Sequence, residues 1–115
     1  MTKIVTRKEL QTRLQVNPGL VLLEALPEKY FYDWHLPGAR HFPHDQARAL
    51  APTVAPDMAA EIVVYCASAT CQNSHIAARV LGSLGYSNVV VYAGGKQDWS
   101  EAGLAREADA PVIAG

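Results

Sequence analysis

Cysteine is scarce in this 115-residue chain, which holds only two. That is too few for the disulfide framework of a small secreted domain. Positive charge is not in excess either: ten Lys and Arg stand against eleven Asp and Glu, for a net charge of −1. With no dominant basic patch, nucleic acid is not a favoured partner. No apolar run approaches the roughly 20 residues of a membrane-spanning helix. The opening "MTKIVTRKEL" lacks the apolar core of a signal peptide. Repeats, low-complexity tracts and linkers are missing as well. These absences lead to an expectation of one domain over residues 1–115, in the cytoplasm, with reduced thiols and neither membrane nor nucleic-acid partner. In that compartment a close cysteine pair is more often catalytic, redox-active or metal-binding than a structural staple.

What is present is an alternation of short apolar runs and helical patterns. "KIVT" opens as a strand. Thr6 and Glu9 have capping-box spacing, with Val5 and Leu10 placed as a hydrophobic staple. "NPG" at 17–19 ends that helix. "LVLLEAL" at 20–26 and "EIVVYC" at 61–66 are continuous apolar runs, as strands covered on both faces are. A helical turn, "EKYFYDW", a brief strand at 39–42 and a helix ending before Pro52 lie between them. "SHIAARVLGSLGY" is helical, with Ile76, Val80 and Leu84 four residues apart and Gly85 placed to end it. "NVVVYAGG" is the last strand, "KQDWSEAG" a short helix, and the weakly patterned tail from about 104 is expected to be mobile in part. The order predicts an α/β domain with a central, mostly parallel sheet flanked by helices.

Both cysteines lie in "YCASATCQNSHIAA". Cys66 ends a predicted buried strand, and the next helix begins near Asn73 or Ser74. Ligands of parallel sheets bind at the carboxyl ends of strands. Free N–H groups at a helix start stabilise an anion, so a thiolate there is expected to have a lowered pKa. The small residues Ala67, Ser68 and Ala69 let the loop curl around a sulfur. The position is equally that of an inert, buried strand-end cysteine. Cys71 is a candidate resolving thiol or a small filler of the loop. With His75 the two cysteines make three zinc ligands at most, and no fourth lies near, so no metal is expected.

At these residues the chain resembles the single-domain rhodanese family, in a variant with an extended two-cysteine loop. "HLPGA" at 35–39 is similar to the family's His-Ile-Pro-Gly-Ala segment. "VVYC" with the following helix resembles its active-site strand, loop and helix. Gly94, Gly95 and Trp99 resemble its closing Gly-Gly-x-x-x-Trp segment. The resemblance implies a rhodanese-like three-layer fold and sulfur transfer through a persulfide at Cys66, the catalytic nucleophile. The backbone of Ala67, Ser68, Ala69, Thr70, Cys71, Gln72 and Asn73 would hold the sulfur, and Ser74 would cap the helix. The implied partners are a small sulfur donor and a thiol or cyanide acceptor, a protein thiol among them, with no cofactor. His35 would anchor the turn before Pro37 and Gly38.

The family's loop resembles Cys-x-x-x-x-Arg-Ser, and the arginine is missing here under either alignment: Cys71 or Asn73 takes its place. Thiosulfate activity is therefore expected to be weak. A related phosphatase pattern, Cys-x5-Arg, meets Gln72 at the arginine position, so phosphate chemistry ranks low. Glu24 and Leu26 stand where the family's Asp-x-Arg segment falls. Two alternatives to sulfur transfer remain: a dithiol redox protein cycling a Cys66–Cys71 disulfide, and a non-catalytic rhodanese-like binding or sensor module.

Overall fold

The computed structural model describes residues 3–108. Five strands, β1 (Lys3–Val5), β2 (Val21–Glu24), β3 (Arg40–His41), β4 (Ile62–Tyr65) and β5 (Val89–Tyr92), form one sheet in the order β1-β5-β4-β2-β3. Every neighbouring pair is parallel. β2 and β4 are buried along their whole length, which is why they read as unbroken apolar runs.

Helices cover both faces. α1 (Arg7–Val16) and α5 (Gly95–Glu101) pack on one side, where Leu10 and Trp99 join Val5, Leu22, Val63, Tyr65 and Tyr92; α2 (Glu28–Asp33) adds Phe31. α3 (Ala47–Val54) and α4 (Asn73–Ser83) pack on the other, with Ala47, Ala51, Ala77, Ala78 and Leu81 against Leu23, Val64 and Val91. The α1 capping box forms: the Glu9 amide donates to Thr6 Oγ1 at 3.1 Å, and the Thr6 amide to Glu9 Oε1 at 3.0 Å. Gly85, at φ +103°, follows the end of α4.

One expectation changes. α3 runs through Pro52 instead of stopping before it. Proline removes one N–H from the helix, and the carbonyl it deprives belongs to the solvent-exposed Arg48. The carbonyls of the last turn are held elsewhere: Tyr86 Oη donates to Ala51 O at 3.1 Å and Ala55 O at 2.6 Å, and Arg40 to Val54 O at 2.6 Å. The first residues of the tail make hydrogen bonds to the domain. Trp99 Nε1 donates to Ala105 O at 2.7 Å, and Glu107 exchanges backbone hydrogen bonds of 2.8 and 2.9 Å with His35. The rest of that segment, 109–115, lies outside the described residues.

Candidate active site

Cys66 leaves the carboxyl end of β4, the middle strand of the sheet. The chain then turns through 67–72 into α4. The Cys71 amide donates to Ser68 O at 3.1 Å, which closes the loop, and the start of the turn is seated on α5. Lys96 N donates to Cys66 O at 2.9 Å and Gln97 N to Ala67 O at 2.8 Å. Gly95 makes this approach possible. A Cβ there would lie 2.3 Å from the Cys66 carbonyl oxygen, and its φ of +64° is one that side chains disfavour.

The Cys66 sulfur is enclosed, with the residue 2% exposed. Sγ–H donates to the Cys71 carbonyl at 3.3 Å, and Sγ lies 3.4 Å from Ser74 Oγ. Burial pushes the thiol up from its ordinary value, and the Cys71 side chain adds to the rise; the Ser74 hydroxyl and N–H oppose it. This reverses the lowered pKa expected from a helix start. Desolvation and donation to a carbonyl both favour the neutral thiol, and they outweigh the amide that α4 supplies. The Cys71 N–H is turned to Ser68, and the N–H acting on the sulfur is that of Ser74. Ser74 does not cap α4. Gln72 stands at the cap position, without a side-chain cap bond, and Ser74 lies in the first turn, buried, facing Cys66.

Cys71 is half-buried, and both cysteines are free thiols. Ala67, Ala69, Thr70 and Gln72 form the exposed rim of the loop, and Ser68 Oγ and Thr70 Oγ1 lie 3.1 Å apart. No residue between Cys66 and Ser74 is charged. Among the described residues, no group of three or more His, Cys, Asp or Glu is placed to hold a metal. His35 is buried, stacked on Phe31 at 3.9 Å between centroids, with Nδ1 2.9 Å from Phe31 O. That is an anchoring role.

Residues 6–102 match the family described as Rhodanese-like domain. The chain belongs to the rhodanese-like domain family. A relative, the thiosulfate:glutathione sulfurtransferase of Saccharomyces cerevisiae, is 32% identical over 94 residues, covering 72% of this chain and 66% of that protein. The chain thus spans just under two thirds of that relative's length. Among solved structures, a protein of Bacillus halodurans has TM-score 0.83 at 17% identity, covering 93% of this chain and 77% of its own. An E. coli rhodanese, solved with anions, has TM-score 0.66 at 22% identity, covering 78% of this chain and 99% of its own. At those identities the structures show a shared rhodanese fold.

Beneath the loop of this rhodanese-like domain lies a polar network that sequence reasoning missed. Glu24, fully buried, accepts from Tyr65 Oη at 2.8 Å and, at Oε2, from Lys96 Nζ at 3.4 Å. Tyr65 Oη in turn accepts the Leu36 amide at 3.1 Å. Burial raises the Glu24 carboxyl and lowers the Lys96 ammonium, each opposed by the other's charge. Glu24 was expected only as a stand-in for an aspartate. The signal for Lys96 was its spacing: it stands three residues before Trp99, on the side of α5 that is buried.

Proposed function

We propose that this rhodanese-like protein is a sulfurtransferase or persulfide carrier in which Cys66 carries the sulfur. Family membership and the sulfurtransferase relative support this type of function at the family level. The observation that carries the assignment to Cys66 is its place: an enclosed thiol at the carboxyl end of the central parallel strand, against the first turn of α4.

The Cys66 proton leaves first, breaking the Sγ–H contact to the Cys71 carbonyl. The thiolate then attacks the outer sulfur of a donor such as thiosulfate. An S–S bond forms to Cys66 as the donor's own S–S bond breaks, and sulfite leaves with the electron pair. A thiolate acceptor attacks the outer sulfur of the Cys66 persulfide, takes it as a new persulfide and returns Cys66 as thiolate. This is two-step covalent catalysis. The Ser74 hydroxyl and amide are the groups placed to hold the anionic sulfur. A loop without a guanidinium binds a dianionic donor poorly, so thiosulfate is a weak donor compared with an uncharged or singly charged sulfane sulfur compound.

A second reading rests on Cys71, which shares the loop and touches Cys66 through its carbonyl. The Cys71 thiolate attacks the inner sulfur of the Cys66 persulfide, a Cys66–Cys71 disulfide forms, and hydrosulfide leaves.

Intact-mass measurement after incubation of reduced protein with sulfane sulfur donors separates the readings. Sulfur transfer predicts a gain of one sulfur atom that Cys66→Ser abolishes and a thiol acceptor removes. Loss of two hydrogens, dependent on both cysteines, identifies the disulfide route. An unchanged mass with every donor overturns both and leaves a binding module.

A further inference from the structure

Among the described residues, Lys96 is the one buried lysine. It stands in the first turn of α5, where its two ends do different things. Its backbone N–H holds the Cys66 carbonyl at 2.9 Å. Its side chain crosses beneath the loop, and Nζ donates to Tyr30 O at 2.8 Å and to Glu24 Oε2 at 3.4 Å. The ammonium also lies 4.7 Å from the centre of the Trp34 ring. Glu24 and Asp33 favour its charge, and Arg106, itself 4.2 Å from the Trp34 ring centre, opposes it.

Each anchor belongs to a different part of the fold. Glu24 ends β2 and stands beside Tyr65, the residue before Cys66, to which it is bonded. Tyr30 belongs to α2. A long, rotamer-rich side chain is costly to order in a core, and its charge is costly to bury. Packing alone needs neither, and the opposite end of Lys96 touches the backbone of Cys66.

We propose that Lys96 is a positioning residue for Cys66: its buried side chain, fastened to Glu24, Tyr30 and Trp34, fixes the first turn of α5 and thereby the Cys66–Ala67 backbone on which the sulfur is aimed. The role rests on Cys66 being the reacting thiol, so it is tested by a readout that needs no sulfur transfer as well as by one that does.

The variants are Lys96→Met, Lys96→Arg and the neutral pair Glu24→Gln/Lys96→Met, the last preserving a foldable core if the single loss of charge does not. Each is checked for fold by circular dichroism. Cys66 alkylation by iodoacetamide is then followed against pH in a Cys71→Ser background. In the Met variants the alkylation midpoint should move down toward that of an ordinary cysteine, because the sulfur is no longer held in its enclosed position. Sulfur loading should slow by about tenfold through kcat with little change in KM, the cost of a misaimed nucleophile. Lys96→Arg should recover part of both. Folded Met variants with the parent alkylation profile overturn the proposal, whatever their thermal stability. If the parent protein loads no sulfur, the function reading fails, and the alkylation profiles still decide the role of Lys96.

Discussion

At the scale of single residues, the proposed chemistry turns on how Cys66 is kept neutral. Its thiol is raised by burial and by Cys71, and lowered by Ser74. The proposed reaction therefore needs a proton to leave a site that favours it. The rate of Cys66 alkylation should climb with pH through a midpoint above that of an unfolded cysteine, and Ser74→Ala should move that midpoint further up by removing an opposing hydrogen bond. A Cys66 that alkylates with the profile of a free thiol contradicts the geometry. Gly95 is equally specific. An alanine there meets the Cys66 carbonyl at 2.3 Å and Ser68 N at 3.0 Å, both backbone atoms, at positive φ. Gly95→Ala should cost more than 1–3 kcal/mol, roughly the strain of the φ alone, measured by urea denaturation. A loss under about 0.5 kcal/mol, the size of an ordinary surface change, contradicts that close approach.

At the scale of elements, most of the fold was legible because its signals are local. The Thr6–Glu9 box, the glycine after α4 and the apolar runs of β2 and β4 each report a backbone requirement in a few adjacent residues. The place of Cys66 followed from strand and helix order alone. What was not legible depends on partners far along the chain. Pro52 read as a helix end, yet Tyr86, 34 residues away (86 minus 52), and Arg40 complete the last turn of α3. The bond between the His35 and Glu107 backbones is of the same long-range kind. The thiol is a local case of another kind: the helix start was visible, but which way the loop turns the carbonyl of Cys71, five residues on, was not. Tyr86→Phe tests the α3 case. The ring still packs, but the carbonyls of Ala51 and Ala55 lose a donor among buried residues. An expected loss of about 1–3 kcal/mol should appear as a lower urea midpoint with an unchanged slope.

At the scale of the whole molecule, the Glu24–Lys96 pair ties β2 to α5, with Tyr65 of β4 and Tyr30 of α2 bonded to its two members, and its energetics should be visible in global stability. A carboxyl whose folded pKa is raised binds its proton more tightly in the fold than in the unfolded chain. Its contribution is therefore fully present below the ordinary value of 4.5 and is lost as pH rises through the folded value. The wild type should thus lose stability relative to Glu24→Gln/Lys96→Met as pH rises from about 4 toward neutrality, because the variant has no carboxyl to ionise there. Lys96→Met alone should behave differently. It leaves a buried carboxylate without its cation, at a cost of about 3–5 kcal/mol near pH 7. That deficit should shrink on acidification, as Glu24 takes up a proton and the uncompensated charge disappears. Urea denaturation of the three proteins across this range measures both slopes. Parallel stability curves would show that Glu24 ionises in the fold as freely as in the unfolded chain, which a fully buried side chain with Tyr65 and Lys96 as its partners does not allow.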